Sequence, residues 1–156
     1  MRTRMLLLTI ALSGAALATP PAPINGVGEL SDENLTIDHF ADGNLFADFT
    51  ELVTQTGTAG SAPFTFTGSV SGEEVLHADG SFEFQIFVDG QVLESPCGTG
   101  SYRARVEGTG TISPSGDAVG EFHENTIDDG DSPIHFDLRG TVFNNTLTFS
   151  GTYQCR

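Results

Sequence analysis

Between Ile134 and Cys155 the chain holds a period of two through two consecutive segments, and this alternation restricts the fold more than any other feature. In Ile134-His135-Phe136-Asp137-Leu138-Arg139-Gly140-Thr141-Val142 every second residue is apolar or Gly. Asn144-Asn145 follows, a pair that tolerates the positive φ of a type I′ hairpin turn. Leu147, Phe149, Gly151, Tyr153 and Cys155 then share one face, and Thr146, Thr148, Ser150, Thr152 and Gln154 share the other. A half-buried antiparallel strand produces this pattern, whereas a helix at about 3.6 residues per turn would spread the same apolar side chains around its surface.

The same reading extends upstream. Phe64, Phe66 and Val70 mark one strand. Phe82, Phe84, Ile86 and Val88 alternate with Ser81, Glu83, Gln85 and Phe87; Asp89-Gly90 then reads as a hairpin turn, with Gln91-Val92-Leu93 returning from it. Pro96 ends that return strand or marks an edge. Tyr102, Ala104 and Val106 oppose Arg103, Arg105 and Glu107, and Ser113-Pro114-Ser115-Gly116 forms a turn before Ala118, Gly120 and Phe122 alternate again. Residues 45–56 fit either a helical stripe stopped by Gly57 or a strand pairing back onto 35–40 through Asp42-Gly43-Asn44; the strand is the preferred reading. About eight strands joined by short turns predict an all-β fold, a single antiparallel meander closed into a β-barrel, with a β-sandwich as the alternative. The architecture resembles that of the lipocalins and the avidin group. Both lean on tryptophans, which this chain lacks, so the resemblance transfers no residue.

Residues 1–18 read as a secretory signal peptide. Arg2 and Arg4 precede an apolar run, Met5 to Leu12, that is too short to span a bilayer, and Ala16-Leu17-Ala18 offers a small-x-small cleavage pattern. Residues 19–33, opening with Thr19-Pro20-Pro21-Ala22-Pro23, read as a flexible leader, and 34–156 as the all-β domain. The expected location is secreted or periplasmic. Cys97 and Cys155, the two cysteines, are expected to form one disulfide, as even sets do in exported chains. Beyond residue 18 the chain has four Arg, no Lys and twenty-one acids. Such a surface repels nucleic acid and anionic lipid, which argues against both as partners. Insertion into an outer membrane would need lipid-facing aromatic girdles, and this sequence has no Trp and two Tyr.

Candidate chemistry is sparse. Asp128, Asp129 and Asp131 beside Gly130 supply hard oxygen ligands suited to Ca²⁺, with Glu124 assisting, although EF-hand spacing is not met and a solvated hairpin loop is the competing reading. His123-Glu124 opens an H-E-x-x-H pattern that Ile127 breaks. His123, His135 and Asp137 would flank one hairpin, which allows a metal site or, alternatively, histidines on a solvent face. Gly68-Ser69-Val70-Ser71-Gly72 has the wrong spacing for a nucleophile elbow. Arg103 and Arg105 share a face and either bind an anion or pair with acids across the sheet. Twelve phenylalanines are many for this length. An inward row of Phe64, Phe66, Phe82, Phe84, Phe122, Phe136 and Phe149 either lines a lipophilic cavity or fills a packed core.

The sequence therefore points to a secreted, non-catalytic β-barrel that binds a small apolar molecule or an extracellular macromolecule, with no required cofactor beyond the Ca²⁺ option. A structural or adhesive surface protein with a Ca²⁺-assisted loop, and a small metal-dependent hydrolase or lyase, are the alternatives.

Overall fold

The structure is a computed structural model that describes residues 20–127 and 131–156. The signal-peptide reading of residues 1–18 lies outside the described residues. Eight strands follow one another: β1 (Ala22–Ala41), β2 (Asn44–Ala59), β3 (Ala62–Leu76), β4 (Ser81–Glu94), β5 (Gly100–Ile112), β6 (Ala118–Thr126), β7 (Ile134–Phe143) and β8 (Thr146–Cys155). Each pairs antiparallel with the next, and β1 pairs with β8, so the meander closes into one barrel. The β1–β8 ladder rules out the sandwich, because two packed sheets would leave these strands as edges.

The period of two becomes an inside and an outside. Ile86, Val88, Val92, Tyr102, Ala104 and Val106 point inward and are buried. Outward positions carry Thr54, Thr56, Thr67, Ser69, Thr109, Thr148 and Ser150, all exposed. The lumen is thus mainly apolar, and the outer wall mixes these polar residues with exposed apolar ones such as Val27, Leu52, Phe87, Val119 and Phe143.

Three readings of the sequence are corrected. The segment 19–33 is largely strand, since β1 begins at Ala22 rather than after a flexible leader. Ile24 is 1% exposed and sits between Ala59 of β2 and Gly151 of β8. Its inward companions include Gly26 and Gly28, which hide the alternation from a search for apolar side chains. Asp89-Gly90 is not a turn, because β4 runs straight through it. Gly90 meets a demand for space rather than for positive φ: a Cβ there would lie 2.6 Å from Gly68 Cα and 2.8 Å from the tip of the Phe66 ring. The turn at 42–43 is present as expected, with Asp42 and Gly43 both left-handed (φ 53° and 82°), so 45–56 pairs back onto 35–40 as strand. Asn144 is left-handed (φ 50°) but Asn145 is not, so the β7–β8 hairpin forms without a type I′ turn.

The two ends of the barrel differ. At one end Phe64, Phe66, Tyr102 and Phe136 pack edge to face, with ring centroids 5.1–5.3 Å apart. The Cys97–Cys155 disulfide joins the β4–β5 connection to the end of β8 there, with Cα atoms 5.0 Å apart, and Cys97 packs on the core. The opposite end carries the turns after β1, β3, β5 and β7. Here β1 leaves β8. The last bond across that seam runs from the Leu30 N–H to the Asn145 carbonyl (2.8 Å), and beyond it β1 pairs with β2 alone.

Candidate functional site

The half of the barrel away from the disulfide is not filled. A cavity of about 470 Å³ extends from the mouth at Ser115, Gly116, Asp117, Asn144 and Asn145 down to Val88, Val106 and Glu124. Its walls are mostly apolar, with Phe49, Phe82, Phe84, Ile86, Phe122 and Leu147 prominent. The seven phenylalanines singled out in the sequence divide between the two halves. Phe82, Phe84 and Phe122 line the cavity, whereas Phe64, Phe66, Phe136 and Phe149 belong to the packed core beneath it. Interior glycines explain how so many rings fit. Phe122 lies opposite Gly140, and a Cβ at Gly140 would stand 2.5 Å from the Phe122 ring tip.

Carboxylates interrupt the apolar wall. Glu51 lies inward on β2 between Phe49 and Val53, and Glu74 lies inward on β3. Glu33 arrives from β1 through a bulge in which Asp32, left-handed at φ 55°, and Glu33 stand against the single residue Glu51. Burial, and then the neighbouring charges of Glu33 and Glu74, push Glu51 up from 4.5 to about 7. Burial and Glu33 likewise raise Glu74. No Lys or Arg side chain faces these acids among the described residues. Arg103, Arg105 and Arg139 point outward from β5 and β7, and Arg156 lies at the closed end.

At the cavity floor Glu124 is 2% exposed. The Tyr102 hydroxyl donates to its Oε1 at 2.6 Å, and Gln55 supplies a second hydrogen bond. Burial raises the Glu124 carboxyl against the opposing pull of these two bonds, and burial beside Glu124 raises the Tyr102 hydroxyl. Thr126 donates to the Tyr102 oxygen at 3.4 Å and accepts from the Phe136 N–H at 2.7 Å, tying this cluster to β7.

Past the rim, β1 and β2 continue as a two-stranded ribbon. Directly paired residues share a face. Leu35 opposite Phe49, Ile37 opposite Ala47 and Phe40 opposite Leu45 therefore lie on the continuation of the luminal face. All three are exposed, Phe40 at 72%. An apolar track thus runs from the tip of the hairpin to the mouth of the cavity.

The other candidates in the sequence lie elsewhere. Asp128 and Asp129 lie outside the described residues, and Asp131 is exposed. His123 Nε2 stands 2.8 Å from Asp137 Oδ1 on the outer wall, but His135 accepts instead from Arg156 Nη2 at 3.2 Å. Among the described residues no three His, Cys, Asp or Glu side chains are placed to hold a metal ion. Arg103 meets its cross-strand partner Asp89 at 3.3 Å, the pairing with a local acid that the sequence allows.

The sequence matches no protein-family model and resembles no curated protein. Among solved structures it is similar to a KdgM porin in complex with disordered oligogalacturonate, at 10% identity and a TM-score of 0.21, over 86% of this chain and 98% of that one.

Proposed function

We propose that this chain is an exported, non-catalytic binding protein that holds a small apolar ligand in the open half of its barrel. The observation that carries this reading is the cavity of about 470 Å³ walled by Phe49, Phe82, Phe84, Ile86 and Phe122. Small-molecule sites typically occupy about 300–1,000 Å³, mostly apolar with a few convergent polar groups. Eight-stranded barrels either fill their lumen or hold one small ligand, and here the two outcomes occupy opposite halves. Export is supported by the leader pattern of residues 1–18 and by the Cys97–Cys155 disulfide, a bond that persists in oxidising compartments.

The test uses N-phenyl-1-naphthylamine, a neutral dye that brightens in apolar surroundings. One saturable site per chain is expected, with a dissociation constant of about micromolar order. Val142 lines the cavity near its mouth. Val142→Trp should fill that space and abolish the signal while the circular dichroism spectrum stays unchanged. Absence of saturable binding by the parent protein would overturn the proposal.

A further inference from the structure

We infer that the ligand held in this barrel is an apolar cation, an ammonium or amidinium head on an aromatic or alkyl body, with the head between Glu51 and Glu74 at the mouth and the body against Phe82, Phe84 and Phe122. The inference rests on the binding reading above and narrows it to one class of charge.

Three observations lead to it. First, the cavity is asymmetric along its length: below the mouth the wall is largely apolar down to a floor where Glu124 is already bonded to Tyr102 and Gln55, while Glu33, Glu51 and Glu74 enter near the mouth from three adjacent strands. A ligand matching this surface carries its charge at one end only. Second, the chain places no cation of its own there among the described residues, since its arginines sit on the outer wall or at the closed end. Burial first, and then the neighbouring charges of Glu33 and Glu74 with no counter-charge beside them, raise Glu51 to about 7. A bound cation would relieve it. Third, the acids occupy inward positions that the strand pattern otherwise gives, apart from Gln55, to apolar residues or Gly. Outward positions were equally available on the same strands, where Asp48 and Glu73 are solvated.

The titratable groups that line the cavity with Glu51 are all acids. Glu33 comes from β1, Glu74 from β3, Asp117 from the β5–β6 turn and Glu124 from β6. Asp117 is held ionised by hydrogen bonds from Ser115 and Asn144, which lower its carboxyl. An anionic headgroup would meet repulsion from every side, and a neutral one would leave the carboxylates poorly solvated.

The experiment is calorimetric titration of the whole chain at about pH 8 with three probes of one shape: 1-naphthylmethylammonium, 1-naphthalenemethanol and 1-naphthoate. The ammonium should bind about tenfold more tightly than the alcohol, the gain expected from a charge-assisted hydrogen bond, and the carboxylate should not bind. Glu51→Gln combined with Glu74→Gln should bring the ammonium down to the level of the alcohol while the alcohol still binds. At about pH 6.5, where Glu51 is mostly protonated, ammonium binding should release a proton, detected as heat that changes with the buffer's ionisation enthalpy. Equal binding of ammonium and alcohol, or a preference for the naphthoate, would overturn the cation inference and leave the apolar binding reading standing. Failure of all three probes, together with failure of the neutral dye, would remove both.

Discussion

Replacing Glu51 with Gln should stabilise the protein, and the gain should depend on pH. In the folded barrel burial, Glu33 and Glu74 hold this carboxyl at about 7, against 4.5 for an ordinary glutamate. A folded-state value above the unfolded one means that the folded chain binds the proton more tightly. The group's favourable contribution is complete below about pH 4.5 and is lost as the pH rises through about 7. At about 1.36 kcal/mol per unit, the full shift corresponds to roughly 3 kcal/mol. Glu51 is half-buried at an open mouth where solvent screens it, so about half, near 1.5 kcal/mol, is the value to test. Glutamine keeps the shape and carries no charge at any pH. Urea unfolding followed by far-UV circular dichroism should therefore show Glu51→Gln more stable than the parent by about 1–2 kcal/mol at about pH 8 and indistinguishable at about pH 4. The difference between the two pH values isolates Glu51 from the relief of general self-repulsion on acidification, which both proteins share. An equal effect at both pH values, or a destabilised variant at pH 8, would refute the argument that the barrel holds this carboxylate against its preference for water.

Two further expectations concern the closed end and the floor. Cys97→Ser with Cys155→Ser opens a link across 58 residues and should cost about 4 kcal/mol on the chain-entropy account, read as a lower urea midpoint; a loss under about 1 kcal/mol would show that the link does little to restrict the unfolded chain. Tyr102→Phe removes the donor from the buried Glu124 carboxyl and should destabilise by about 1–3 kcal/mol in urea unfolding; a neutral substitution would show that the hydrogen bond carries no weight.

Much of the architecture was legible because alternation survives wherever inward positions hold large apolar side chains. β7 and β8 are the clearest case, and the Cys97–Cys155 disulfide expected from the sequence is present, with both cysteines part-buried. The pattern failed where glycine took the inward positions. Gly26 and Gly28 made the first half of β1 look like leader, and Gly90, required by the Phe66 ring and the nearby Gly68 backbone, imitated a turn. Composition also obscured the site. With twenty-one acids in the chain, no pair stood out by number. The signal was positional: Glu51 falls in phase with Phe49 and Val53, Glu74 in phase with Val70 and Gly72, and Glu124 in phase with Phe122. A carboxylate in the apolar phase of a strand is worth more attention than a cluster in a loop. The division of the phenylalanines into lumen wall and packed floor could not be read from one strand at a time, because it depends on where β1 parts from β8, a property of closure.

Both ends of the described chain emerge at the stapled end of the barrel. Ala22 pairs with Tyr153, and Arg156 donates its N–H to the Pro133 carbonyl beside the disulfide-bearing connection. A tag, a linker or a solid support joined directly at either end of the described segment therefore hangs from the base and leaves the opening pointing away from it. The barrel has a built-in orientation: tethered at the ends of its described segment, it offers its lumen outward and keeps the entrance clear.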